Sequence, residues 1–258
     1  MKIAVYTKRK LKENTVKISL VKGLVDYGFS VIELDDLNNL DGFDRLLVFG
    51  GDGTMLYCAT HANCPIVGIN LGNVGFLTQH EANVSVEELI CAIHSSCLED
   101  RPLLETAVEG KRCLSLNEFV IKTTSSRPIS FSVKINGDFV DTYHADGIII
   151  ATPTGSTAYS LSAGGPILSP DVNAIIINPI CPHSLHSRPL IVSGESKIDI
   201  KIDGDDAVLI TDGREQIDLK NMTDIQISKA NQSATFVCGN NNFYNKLLEK
   251  MNKWGVTR

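Results

Sequence analysis

The chain has 258 residues and a formal net charge of −6 at pH 7, with 43% hydrophobic and 21% charged residues. That length builds one large domain or two modest ones, and the composition is that of an ordinary globular protein. The acidic balance, without any block of Lys or Arg, argues against nucleic acid or an anionic membrane as a main partner while leaving room for a local basic phosphate site, and no run reaches the roughly 18 apolar residues of a membrane span.

In chain order, Met1–Tyr6 is too short an apolar stretch for a signal peptide and reads as a first strand, so a cytoplasmic location is expected. Strands are predicted over Lys2–Thr7, Ser30–Leu34, Arg45–Phe49 and Ile66–Asn70, with amphipathic helices over Lys17–Tyr27 and Ser85–Cys97. Ser85 and Glu88 have the spacing of a capping box. Alternating β and α of this kind predicts an α/β domain with a doubly wound, mostly parallel sheet. Near Asp100-Arg101-Pro102 the pattern changes. Short β-branched runs follow at Asn117–Thr123, Ser130–Ile135, Gly147–Ala151, Ala174–Asn178, Lys197–Ile202, Ala207–Thr211 and Thr223–Ser228. Asn136-Gly137, Asp203-Gly204 and Asp212-Gly213 are hairpin signals between them, which predicts an all-β, sandwich-like domain. Helical periodicity returns over Asn242–Trp254, where Phe243, Leu247, Leu248 and Trp254 would pack back on either domain. The expected division is 1–100 (α/β), 101–240 (β-sandwich-like) and 241–258 (C-terminal helix). The seven cysteines are odd in number, form no C-x-x-C pair and match no zinc template, so reduced thiols are expected.

Two glycine-rich turns, one in each predicted domain, carry the chemistry. Gly50-Gly51-Asp52-Gly53-Thr54 ends the strand Arg45–Phe49 and opens helix-compatible residues. Glycine lets backbone N–H groups approach an anion, and a following helix adds the positive end of its dipole. Asp52 would repel a phosphate there unless it binds a metal ion or takes a proton from an attacking hydroxyl, a pattern that points to phosphoryl transfer. The turn also lies at the carboxyl end of a strand, where open α/β sheets bind ligands. It lacks the lysine of a Walker A motif and is not the dinucleotide G-x-G-x-x-G.

Asn70–Leu77, read alone, holds turn-forming glycines and a core Phe76; after the next strand it also reads as the neighbouring wall of one cleft. Asn117-Glu118 reads first as a capping or exposed pair, although an amide can read a base edge and a carboxylate can accept from ribose hydroxyls. After Asp146-Gly147, the segment Thr152–Thr157 offers four hydroxyls and backbone donors, and Ser162–Pro166 adds a second tight turn. His183 and His186 lack a third metal ligand and read as structural or phosphate-neighbouring.

Together, Gly50–Thr54, Asn70–Leu77, Asn117-Glu118, Asp146–Pro166 and Cys181–Val192 resemble the NAD kinase family along nearly the whole chain. Gly-Gly-Asp-Gly-Thr is shared with diacylglycerol- and sphingosine-type lipid kinases, whereas the intact block Thr152–Pro166 discriminates. The resemblance implies transfer of the γ-phosphoryl group of ATP to the 2′-hydroxyl of the adenosine ribose of NAD, giving NADP. Asp52 would be the general base, assisted by Mg²⁺ or another divalent cation. Gly51, Gly53, Thr54, Phe76, Asn117, Glu118, His144, Asp146, Thr157, Ala158, Tyr159, Ser160, Leu161 and Ser162 would bind the substrates. No metal ligands are assigned to the chain itself. A homodimer or homotetramer is implied, in which a neighbouring subunit completes the site, with neither nucleic acid nor membrane as partner. The chain departs from the family pattern at His144, where Arg or Lys is frequent, and at Arg214, where many bacterial members have Gln. A lipid kinase would predict an amphipathic or basic membrane-facing element, and none is apparent. A dinucleotide sensor without catalysis would not require Asp52.

Overall fold

A computed structural model describes residues 1–72, 75–239 and 243–256, so Asn73, Val74 and the predicted helix start at Asn242 lie outside the described residues. The chain divides into two compact units, Met1–Asp100 with Ala234–Arg258, and Arg101–Ser233.

The first unit runs β1 (Lys2–Thr7), α1 (Thr15–Tyr27), β2 (Ser30–Leu34), β3 (Arg45–Phe49), α2 (Asp52–His61), β4 (Ile66–Asn70), β5 (His80–Glu81) and α3 (Val86–His94). Its strands lie in the order β2-β1-β3-β4 and pair in parallel, as the alternating pattern predicts. Local chemistry sets the helix ends. Asn14 caps α1 by accepting from the Val16 and Lys17 amides, and Gly28 closes it at φ +106°, where a side chain would be strained. The predicted capping box of Ser85 and Glu88 forms at α3 in both directions. Leu20 and Leu24 of α1 and Leu89 and Ile93 of α3, each pair one helical turn apart, bury against Ile3, Val5, Leu47, Phe49, Val67 and Ile69.

The helix predicted to reach Cys97 ends at His94, because Leu98 already begins a strand. From there the chain is β-rich: β6 (Leu98–Val108), β7 (Lys111–Ser115), β8 (Glu118–Thr123), β9 (Ile129–Ile135), β10 (Asp138–Ala145) and β11 (Gly147–Ala151). A single helical turn, α4 (Tyr159–Ser162), precedes β12 (Ala174–Ile180), β13 (Leu190–Ser193), β14 (Ile198–Asp203), β15 (Ala207–Thr211), β16 (Glu215–Leu219) and β17 (Asp224–Val237). In the second unit one antiparallel sheet runs β13-β12-β11-β8-β15-β16, and a second carries β10, β9, β14 and the start of β17. Phe119, Ile121, Ile148, Ile150 and Leu209 of the first meet Phe131, Val133, Ile198, Ile200 and Ile227 of the second in one core, the predicted sandwich. Two of the hairpin signals act as expected. Asn136 and Gly137 turn β9 into β10 with φ of 53° and 91°, and Asp212 and Gly213 turn β15 into β16 with φ of 48° and 64°.

The last helix, α5 (Phe243–Val256), belongs to the first unit. Its Phe243 ring lies 6.5 Å from that of Phe76, but Leu248 is 61% exposed, so the predicted apolar face is narrower than expected. The side chain of Trp254 lies outside the described residues.

The expectation of reduced thiols holds for Cys58, Cys64, Cys91, Cys113 and Cys181 but is overturned for the other two. Cys97 and Cys238 form a disulfide across 141 residues, where the end of β17 meets the start of β6 and the Cys238 amide donates to the Cys97 carbonyl. No sequence spacing marks such a pair, because the fold alone brings its members together. Reduction, or Cys238→Ser, is expected to lower stability by about 2–4 kcal/mol, since the bond restricts the unfolded chain. A melting midpoint indifferent to reductant would show that the crosslink contributes nothing.

Candidate active site

In the first unit, Gly50 and Gly51 carry the chain from β3 into α2, and Asp52 is the first helical residue. A Cβ at Gly50 would stand 2.7 Å from the Thr54 Cβ, so the turn requires glycine there. Gly51 and Gly53 face open space, leaving the backbone accessible at the positive end of α2. The Asp52 carboxylate is held rather than free. Its Oδ2 accepts from the Phe76 amide at 3.0 Å and its Oδ1 from the Leu77 amide at 3.1 Å. At Gly75 a Cβ would come within 2.1 Å of Oδ1, so the loop approaches the carboxylate as only glycine permits. Gly75, Phe76 and Leu77 thus lie beside Asp52, and Phe76 is half-buried there rather than in the core.

Two further groups arrive from α5. Lys250 Nζ lies 3.6 Å from Asp52 Oδ2 and 3.7 Å from the centre of the Phe76 ring. Lys246 Nζ, one helical turn earlier, donates to the Phe76 and Thr78 carbonyls at 3.1 and 2.7 Å. Sequence reading missed both lysines. The i, i+4 spacing places them on one helix face, but nothing in it names the loop they reach.

In the second unit Asn117 precedes β8 and Glu118 begins it, and the discriminating block packs on this strand start. The Thr152 amide donates to the Asn117 carbonyl at 2.8 Å, and the Thr152 hydroxyl donates to the Leu116 carbonyl at 2.6 Å. A Cβ at Gly155 would stand 2.1 Å from the Asn117 oxygen, so this crossing again requires glycine. The hydroxyls expected to face a ligand mostly build the loop. Thr152 also accepts from the Gly155 amide, Ser156 exchanges bonds with Leu168, Thr154 accepts from Arg101, and Thr157 donates to the Thr154 carbonyl. Ser160 is fully buried and Tyr159 exposed, while Thr157, Ala158 and Leu161 are half-buried and Ser162 exposed along the same turn.

Beneath Asn117-Glu118 lies a group that sequence reading took only for a hairpin residue. The buried Asp212 carboxylate accepts from the Ser115 hydroxyl at 2.5 Å and from the amides of Leu116, Asn117 and Glu118 at 3.1, 2.8 and 3.2 Å. Arg214, one of the two departures, places Nη2 3.8 Å from its Oδ2. Burial, and then the Asp212 charge, pushes the Glu118 carboxyl up to about 8, against the opposing Tyr159 amide. Glu118 Oε2 is buried without a hydrogen-bond partner. Glu118 therefore holds a proton at neutral pH and can donate as well as accept.

Between the ordinary carboxyl value of 4.5 and about 8, the folded chain keeps a proton that the unfolded chain releases. Stability is retained below that window and falls as pH rises through it, by about 1.4 kcal/mol per pH unit at most. Glu118→Gln is expected to flatten this slope in urea unfolding from about pH 5 to about pH 8. Equal slopes in the two proteins would show that Glu118 ionises normally.

His144 and Asp146 are not gathered with these residues within one chain. Ala151 of β11 pairs with Glu118, whereas the Asp146 carbonyl, beyond the other end of β11, accepts from Thr123. Five residues of strand, about 17 Å, separate the two groups. His144 is exposed, with Nδ1 3.3 Å from the Ser130 hydroxyl and its ring edge-on to His183 at 5.5 Å. Among the described residues no group of three His, Cys, Asp or Glu could hold a metal ion, and no helix is long and apolar enough to cross a membrane.

Family comparison matches residues 5–94 to the ATP-NAD kinase N-terminal domain and residues 116–238 to the ATP-NAD kinase C-terminal domain. Among named relatives, the NAD kinase of Desulforamulus reducens is 40% identical over 224 residues, covering 82% of this chain and 78% of that protein. The NAD kinase of Methanothermobacter thermautotrophicus is 37% identical over 254 residues, covering 95% and 87%. The structure is similar to that of an NAD kinase from Archaeoglobus fulgidus in complex with ATP, with a TM-score of 0.86, 30% identity, and coverage of 98% and 99%. A yeast NADH kinase complexed with NADH shares the fold, with a TM-score of 0.85 at 24% identity and coverage of 100% and 89%.

Proposed function

This chain belongs to the NAD kinase family of enzymes, and from that premise we propose that it transfers the γ-phosphoryl group of ATP to the 2′-hydroxyl of the adenosine ribose of NAD. The observation that carries the assignment of roles is the held carboxylate of Asp52 at the start of α2. The bond from the ribose oxygen to the γ-phosphorus forms as the bond from that phosphorus to the β-γ bridging oxygen breaks. ADP leaves, and Asp52 takes the hydroxyl proton. A secondary hydroxyl is a poor nucleophile, and a positioned carboxylate contributes about 10²- to 10⁴-fold to such a step. A carboxylate has four lone-pair positions, of which the Phe76 and Leu77 amides occupy two, so Asp52 keeps capacity to accept the proton.

The donor set supports a particular role for Mg²⁺. With no group of three potential metal ligands among the described residues and an ammonium 3.6 Å from Asp52, the site suits an ion carried on the ATP phosphates better than one caged by the protein. When bound, it would neutralise charge on the transferred group. In the second unit Asn117, Glu118 and Thr157–Ser162 recognise the dinucleotide. The strand separating Asp146 and His144 from Glu118 supports a homodimer or homotetramer in which one subunit supplies them to another's site.

The test is NADP formation by purified protein from NAD, ATP and Mg²⁺, beside 2′-deoxy-NAD and a metal-stripped control. Product from NAD alone, and only with metal, is expected. No NADP with either ATP or polyphosphate, while NAD still binds, would overturn the kinase reading in favour of a sensor. The shared site has its own test. Inactive Asp52→Asn and Asp146→Ala chains, unfolded and refolded together as dimers, are expected to regain about a quarter of wild-type activity. No recovery in a re-formed oligomer would place Asp146 in its own chain's site.

A further inference from the structure

Lys250 has no part in the roles above, yet its position is constrained from several directions. Its side chain is only 18% exposed, and an ammonium withdrawn from water needs compensating partners. Two partners converge on it: Asp52 Oδ2 at 3.6 Å and the Phe76 ring face at 3.7 Å. Phe76 is itself the residue whose amide donates to that same Oδ2, and Lys246 grips its carbonyl from the same helix. Asp52, Phe76 and α5 are therefore joined by a continuous set of contacts within the first unit. The 3.6 Å separation is an ion pair longer than a direct hydrogen bond, so the ammonium orients the carboxylate without occupying it tightly. The glycine-rich turn also lacks the lysine that P-loop enzymes place in their own loop.

We propose that Lys250 is a positioning residue for phosphoryl transfer, in which the C-terminal helix reaches back to hold the Asp52 carboxylate and the Phe76 loop in their working geometry. The inference rests on the reading of Asp52 as general base. It assigns the C-terminal helix a part in the chemistry rather than only in folding. A carboxylate that drifts by an ångström loses much of its value as a base. Lys250→Met is accordingly expected to lower kcat about 10- to 100-fold, with KM for NAD changed by less than about threefold. Lys250→Arg keeps the charge and is expected to recover most of the loss.

The experiment is a double-mutant cycle on the full-length protein, using Asp52→Asn, Lys250→Met and the pair, with NADP formation as readout and thermal unfolding as a check on folding. If Lys250 acts through Asp52, Lys250→Met has little further effect once Asp52 is asparagine. A fall in kcat of the same size in both backgrounds, or failure of Lys250→Arg to restore activity in a folded protein, would reduce Lys250 to a structural role. Full activity of Lys250→Met would overturn the proposal outright. Near-normal turnover by Asp52→Asn alone would instead overturn the base assignment, so the two failures are distinguishable. Should Lys250→Met melt below the assay temperature, Lys250→Gln decides the same cycle.

Discussion

Replacing Asp52 by asparagine is expected to slow NADP formation by about 10²- to 10⁴-fold while leaving the fold and NAD affinity nearly intact. Asparagine has the same shape and keeps one oxygen acceptor, so one of the amides at Phe76 and Leu77 retains its partner. What it loses is the ability to take a proton and the charge opposite Lys250. The fall should therefore appear in kcat, with KM close to wild type. A smaller, independent perturbation reaches the same group. Gly75→Ala adds a methyl that would stand 2.1 Å from Asp52 Oδ1, so it must push the carboxylate or the loop aside. It should lower kcat by about 10²-fold, because displacement by an ångström is enough. If Asp52→Asn stayed within tenfold of wild type while Gly75→Ala was inactive, the carboxylate would be a structural bracket and the base would lie elsewhere.

The second large effect is on stability. Asp212→Ala removes the acceptor of three backbone amides and the Ser115 hydroxyl, all beneath the start of β8. Buried donors left without partners cost about 1–3 kcal/mol each, partly offset when water or small shifts replace the lost acceptor, so a net loss of about 3–5 kcal/mol is expected. Asp212→Asn should cost less, because one amide oxygen can still serve Asn117 and Glu118, which share Oδ1. Loss of the Asp212 charge should also return the Glu118 carboxyl toward ordinary values, since that charge is the second cause of its elevation. Urea unfolding of the two variants measures both effects. A loss below about 1 kcal/mol for Asp212→Ala would mean that these amides find other partners.

Much of the fold was legible because it rests on local patterns. The apolar runs of the first hundred residues follow from central strands such as β3 and β4 buried on both faces and from helices such as α1 and α3 buried on one, and the sheet order agrees with them. Asn136-Gly137 and Asp212-Gly213 turned where predicted because few other pairs tolerate two successive positive φ angles. Errors came where tertiary context overrode local signals. The amphipathic pattern of Ser85–Cys97 predicts helix through Cys97, but beyond His94 the chain is already leading into β6. Local signals also do not show that most hydroxyls of Thr152–Thr157 are engaged within the protein, with Leu116, Gly155, Leu168 and Thr154.

By itself the sequence determined the class of the two units, the helix caps, the hairpins and the two glycine-rich turns, together with Asp52 as the one carboxylate in the first of them. Each depends on residues a few positions apart, whose backbone preferences and hydrogen-bonding capacity act locally. Only the tertiary structure decided that Cys97 meets Cys238, that Asp212 supports Asn117-Glu118, that Lys250 faces Asp52, and that Asp146 stands a strand's length from Glu118. Those partners are separated by tens to hundreds of residues. Their proximity is set by the packing of sheets and helices, and side-chain chemistry alone contains no record of it.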